Sequence, residues 1–297
     1  MKNPSASVRA RLLNYSQKHE LVFNDLLVRY ALEGLLQRLS LSPHADQFIL
    51  KGGMLYPLWA PDAVFTRTTR DVDLLSFGSP EPQRILEFFQ TLDSSDATAE
   101  DGLVFSPSEM SAQVAREDDL CQGVRLDAKA HLGSAIIRFH ADIGFGDSVY
   151  PAAETRPYPR LLELPPASLR VYPIETVIAE KFEAMVNLGH SNSRMKDFYD
   201  IDFLSNRFTI DGHDLTEAID RTFAHRKTPI PTVAPLALTD DFAEDAGKMS
   251  QWKAFLRKNR FADRPLREIV GILSRFLTPV LARAAATKNW NPGGPWE

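Results

Sequence analysis

The sequence predicts an α/β unit followed by an all-helical unit, and three observations carry that expectation. A short apolar run over 47–50 and alternating apolar segments over 124–132 and 136–145 read as strands. Apolar residues recur at three and four over 6–40 and 81–92, the spacing of amphipathic helices. Beyond a Pro-rich stretch at 151–173, read as an extended linker, every periodic segment is helical. With 297 residues the chain can bury two cores. The expected organisation is an α/β unit over 1–165, a helical unit over 166–288 and a frayed Pro/Gly-rich tail over 289–297.

Taken in order, Phe23, Leu26, Leu27, Tyr30, Ala31, Leu35, Leu36 and Leu39 form one broad helical stripe within 6–40. The strand over 47–50 ends at Lys51-Gly52-Gly53, and a short helix over 54–59 stops at Pro61. A strand carrying Asp71 and Asp73 closes at Gly78-Ser79-Pro80. Helix 81–92 follows through Ile85, Phe88, Phe89 and Leu92, then a polar loop at 93–102. The strands 124–132 and 136–145 make a hairpin across Gly133-Ser134. Its apolar face is Ala135, Ile137, Phe139, Ala141 and Ile143, while Arg138, His140 and Asp142 point the other way. The helical unit is expected over 176–188, 196–204, 213–225, 247–260 and 264–286, with a Pro-rich crossing at 228–235.

Hydrophobic (44%) and charged (25%) fractions are those of an ordinary globular protein. A single cysteine, Cys121, excludes a disulfide framework and a cysteine-based zinc site. No apolar run approaches the ~20 residues that cross a bilayer, and the N-terminal residues lack the apolar core of a signal peptide. A soluble cytoplasmic protein with no membrane partner is expected. The net charge of −5 is unevenly spread: residues 247–288 hold ten Lys or Arg against Asp263 and Glu268. Such a segment either grips an anionic partner, nucleic acid being the obvious case, or pairs with the acidic body.

The chemistry concentrates in Arg67-Thr68-Thr69-Arg70-Asp71-Val72-Asp73-Leu74. On a strand, Asp71 and Asp73 share one face with Cα atoms ~6.5–7 Å apart. Carboxylates held that close call for a cation, and paired Mg²⁺ ions roughly 3.5–4 Å apart serve proteins that handle nucleoside triphosphates. Upstream, Gly52-Gly53 lies between a strand and a helix, where a missing Cβ and free helix N–H groups suit close approach of an anion. Asp142, on a later strand, can project from a sheet face that also carries polar groups. In the helical unit Lys181 sits at the edge of the buried stripe Ile178, Phe182, Met185, where it either snorkels or reaches a triphosphate. Asp197 and Asp200 share a helical face with Arg194 a turn earlier. They read either as a surface salt-bridge network, with a Lys196–Asp200 pair, or as acids that orient the lysine or activate an attacking hydroxyl.

Lys51-Gly52-Gly53, Arg67-x-Thr69-x-Asp71-x-Asp73, Ala179-Glu180-Lys181 and Arg194-x-Lys196-Asp197-x-x-Asp200 occur in that order. Together they resemble the AbiEii/AbiGii toxin family, including MenT-type toxins, over about residues 20–285. The resemblance implies a polymerase-β-like nucleotidyltransferase unit with a mixed sheet plus a helical C-terminal unit. It implies a toxin of a bacterial toxin–antitoxin or phage-defence pair, whose partner is a winged-helix antitoxin. The implied activity is Mg²⁺-dependent transfer of a nucleotide from an NTP, with pyrophosphate release, to RNA, the tRNA 3′ end in MenT-like members. Carried onto this chain, Lys51, Gly52, Gly53, Thr69 and Lys181 would hold the nucleotide. Asp71 and Asp73 would hold Mg²⁺, with Asp142 a third ligand or base. Asp197 and Asp200 would be the acids of the helical half. Many nucleotidyltransferases have Gly-Ser where this chain has Gly52-Gly53, so a serine hydroxyl contact is absent. Two other functions fit the residues: nucleotidyl transfer to a small molecule, and partner sequestration without catalysis.

Overall fold

The computed structural model describes residues 4–60, 69–92, 100–117 and 121–297. Arg67, Thr68, Pro61, most of the expected loop at 93–102 and the Cys121 side chain lie outside the described residues. The chain divides into two compact units, residues 1–147 with 153–172, and residues 148–152 with 173–297.

Among the described residues, unit 1 contains helices α1 (Pro4–Lys18), α2 (Phe23–Leu41), α3 (Tyr56–Trp59) and α4 (Pro82–Gln90). Its strands are β1 (Phe48–Lys51), β2 (Asp71–Ser76), β3 (Leu103–Phe105), β4 (Ser111–Glu117), β5 (Cys121–Leu132), β6 (Ala135–Phe145), β7 (Glu154–Tyr158) and β8 (Ala167–Val171). They form one sheet in the order β3-β5-β6-β2-β1-β8-β7, with β4 also on β5. The sheet is mixed, since β2–β6 and β1–β8 are parallel and the other pairs antiparallel. One face is apolar and buried, with Val72, Leu74, Leu126, Ala128, Ile137, Phe139, Ala141 and Ile143 on it. Helices α1, α2 and α4 pack on the strands that bear this face.

The single helical stretch expected over 6–40 is two helices. Glu20 adopts φ 55° and ends α1, with Leu21 N–H donating back to Ser16 O at 2.9 Å, a cap that usually falls to glycine. The Pro-rich stretch at 151–173 is not a linker, because β7 and β8 lie in it. Pro157 is tolerated because β7 is an edge strand. A buried ion pair ties α2 to the sheet: Arg38 Nη1 meets Asp101 Oδ2 at 2.7 Å, Arg38 Nη2 donates to Leu103 O, and Leu103 N–H donates to Asp101 Oδ1. Both side chains are 2% exposed. Breaking such a pair strands a buried charge, so Asp101→Ala is expected to cost ~3–5 kcal/mol in chemical denaturation. A loss below ~1 kcal/mol would contradict the burial.

Among the described residues, unit 2 is helical: α5 (Ile174–Leu188), α6 (Met195–Arg207), α7 (Gly212–His225), α8 (Asp240–Glu244), α9 (Ala246–Asn259) and α10 (Leu266–Leu281). Asp211, Thr239 and Asp245 cap α7, α8 and α9 through their side chains. Helix α10 stops at Leu281, short of the expected 286, where Arg283 takes a left-handed φ of 60° and Ala284 N–H donates back to Pro279 O at 2.9 Å. The tail is not frayed: β10 (Asn289–Trp290) pairs with β9 (Ile210–Asp211), Trp290 is buried, and Trp296 Nε1 donates to Phe276 O at 2.9 Å.

Candidate active site

In unit 1 the pairing register builds the site. Lys51 on β1 faces Asp73 on β2, Asp73 faces Asp142 on β6, and Asp142 faces Arg125 on β5. These four residues form one charged row across four strands, on the face opposite the apolar core. Asp71 starts the next row, beside His140 and Asp127. The three carboxylates singled out from the sequence therefore share one face. Each already has a protein partner. Thr69 Oγ1 donates to Asp71 Oδ1 at 2.7 Å, and Arg125 grips Asp142 bidentately with both contacts at 2.7 Å. Among the described residues, no three His, Cys, Asp or Glu side chains are gathered as a ready-made metal cluster.

The chain leaves β1 through Gly52, whose φ of 69° disfavours a side chain. A Cβ there would fall on the Asp73 carboxylate. The glycine is thus required twice, once by the turn and once by the approach of Asp73 to the backbone. Gly52→Ala is expected to destabilise unit 1 by ~1–3 kcal/mol, read by urea denaturation. A wild-type midpoint would show that Asp73 moves aside freely.

Lys51 does not use its ammonium only along this row. Its Nζ lies 2.6 Å from Asp147 Oδ2, and Tyr172 OH donates to the same oxygen at 3.5 Å. Sequence reasoning missed Asp147 and Arg125. Arg125 had a signal, since the two-residue turn at Gly133-Ser134 pairs Leu132 with Ala135, and seven positions outward Asp142 meets Arg125. Asp147, just past the end of β6, had none.

In unit 2, α5 and α6 bring Lys181, Asp197 and Asp200 together. Lys181 Nζ sits 2.9 Å from Asp197 Oδ1 and 2.7 Å from Asp200 Oδ2, and Arg194 Nε lies 2.8 Å from Asp197 Oδ2. Both acids are essentially buried, at 0% and 1% side-chain exposure. The acids are buried and not a surface network, and Lys181 is ion-paired to both of them. Asp197 also lies in the first turn of α6, where the helix dipole favours a negative charge.

The basic segment is less available than its composition suggests. Arg264 is bound to Asp202 and Glu268, and Arg267 to Asp240 and Glu244. Lys248 is buried and donates to the carbonyls of His190 and Asn192. Lys253 and Arg257 remain on the exposed side of α9.

The family model described as "Nucleotidyl transferase AbiEii toxin, Type IV TA system" matches residues 34–276. No curated protein matches the sequence. The fold is similar to that of JHP933 from Helicobacter pylori, at a TM-score of 0.50 and 15% identity, covering 88% of this chain and 94% of that one. A candidate nucleotidyltransferase from H. pylori also aligns, at a TM-score of 0.43 and 14% identity over 88% and 99% of the two chains. Glycine turn, carboxylate row and buried lysine–aspartate cluster thus occur in a chain that belongs to the AbiEii family, the nucleotidyltransferase toxins of type IV toxin–antitoxin systems.

Proposed function

We propose that this chain transfers a nucleoside monophosphate from an NTP to the 3′ end of an RNA, tRNA being the favoured acceptor, in a Mg²⁺-dependent reaction. The observation that carries this reading is the shared face of Asp71, Asp73 and Asp142, reached through a glycine turn that leaves backbone where a side chain would stand. Hard carboxylate oxygens on one face fit Mg²⁺, so Asp71 and Asp73 would hold it, with Asp142 joining as ligand or base once Arg125 lets go. When bound, the metal neutralises charge on the attacking and leaving oxygens.

The chain's own residues then divide the work. Gly52 and Gly53, with Lys51 and Thr69 beside them, would accommodate the triphosphate. Lys181, held by Asp197 and Asp200, would contact phosphate. The acceptor 3′ hydroxyl gives up its proton, Asp142 being the candidate base, as its oxygen bonds to the α-phosphorus; the bond from that phosphorus to the oxygen bridging to the β-phosphate breaks, and pyrophosphate leaves with that oxygen. In the cell the toxin would act in the cytoplasm, in phage defence, with a winged-helix antitoxin as its partner.

Incubation with each α-labelled NTP and total bacterial RNA tests this reading. Label in RNA with pyrophosphate release is the expected product. Label in a small molecule would move the acceptor class, and growth arrest without any labelled product would favour partner sequestration. If RNA is the acceptor, its KM rises with salt, because phosphate contacts release counterions. A flat response between low and moderate salt contradicts an RNA grip.

A further inference from the structure

The charged row of the active face is one of four. Beyond Lys51–Asp73–Asp142–Arg125 comes Asp71–His140–Asp127, then Arg138–Lys129, and finally Ile136–His131–Val104. All four project from the same face, because β5 and β6 pair without a break from Gly123↔Gly144 to Leu132↔Ala135. The last two rows lie on the part of the β5–β6 ribbon that extends past β2. There the face is open: Arg138 and His140 are exposed, and Ile136 and Val104 are each 54% exposed.

The acids on this face are matched internally. Asp142 is held by Arg125, Asp127 by His140, and Glu109 by Lys129 and His131. Arg138 stands in no ion pair among the described residues. Moving away from the carboxylates, the surface therefore changes from acidic, to basic with one unmatched guanidinium, to apolar. Each step is two strand residues, ~6.6–6.8 Å.

We infer that this open ribbon face is the docking track for the single-stranded 3′ end of the acceptor RNA. The terminal hydroxyl lies at the acidic rows, a backbone phosphate lies on Arg138 and Lys129, and a nucleobase rests on Ile136, Val104 and the His131 ring. The occupant follows from the order of the rows, since a strand entering with its hydroxyl at the carboxylates presents phosphate and then base as it leaves. Exposed sheet faces that take unstacked bases are an established mode of RNA binding. A protein partner is disfavoured because the apolar row is two aliphatic side chains, without the buried aromatic anchors of a protein interface. The track rests on the RNA-transferase reading above.

The test is fluorescence anisotropy with a short labelled single-stranded RNA ending in a free 3′-hydroxyl, without NTP, alongside steady-state KM values for RNA and NTP. The variants are Arg138→Glu and Ile136→Asn, both at exposed positions, with Lys253→Glu on α9 for comparison. Arg138→Glu is expected to weaken RNA binding at least ~10-fold, to lower the log–log salt slope by about 0.7 or more, and to leave the NTP KM unchanged. Ile136→Asn is expected to weaken RNA binding with no change in salt slope. Wild-type RNA affinity for Arg138→Glu, or a larger loss for Lys253→Glu, overturns the track. If Arg138→Glu loses RNA affinity but no NTP labels RNA in the wild type, the ribbon face binds RNA while the transferase reading fails, and the face's role as an acceptor track is overturned with it.

Discussion

Asp73→Asn is expected to leave the protein folded and to remove nucleotidyl transfer, together with growth arrest on expression. The substitution keeps shape and size, and Asp73 is only partly buried, so packing is preserved. What changes is one negative charge in a row where two carboxylates, Asp73 and Asp142, face each other across paired strands. Removing a single preorganised charge-stabilising group costs on the order of 10²–10³-fold in rate, and a group proposed to hold a metal as well should cost at least that. Asp71→Asn is expected to behave alike, since the amide oxygen can still accept from Thr69 Oγ1 and only the charge is lost. Growth arrest that persists in both variants would mean that catalysis at these carboxylates is not the cause of toxicity.

Lys181→Met is expected to lose both activity and stability, and the two losses can be separated. The substitution leaves Asp197 and Asp200 buried with Arg194 as the remaining ion-pair partner of Asp197, and Arg194 is 46% exposed. Removing one partner of a buried ion-pair cluster costs ~3–5 kcal/mol. Adding Asp197→Asn and Asp200→Asn removes the two buried negative charges that Lys181 faced, so the triple variant should recover most of the denaturation midpoint. It should not recover transfer if Lys181 contacts phosphate. A triple variant that regains both stability and activity would reduce the cluster to a structural role.

Much of the active face was legible because strand alternation is a short-range signal. Asp71 and Asp73, and separately Arg138, His140 and Asp142, were placed on the correct faces by period alone. What period could not give was depth. Asp197 and Asp200 at i,i+3 look the same whether exposed or buried, and only the packing of α5 against α6 decides it. Strands β7 and β8 were hidden by the prolines in and around them; Pro157 itself lies in β7, whose edge position tolerates it. The break between α1 and α2 was hidden because Glu20 occupies a backbone conformation usually left to glycine. Asp147 was invisible for another reason: its partner Lys51 lies on β1, and no local pattern joins them.

Anomalous scattering from Mn²⁺, in crystals grown with a non-hydrolysable NTP analogue, tests the central claim most directly. The expected result is a metal peak between the Asp71 and Asp73 carboxylates, with the triphosphate against the Gly52-Gly53 backbone. Nucleotide bound elsewhere, with no metal on those two carboxylates, would contradict it.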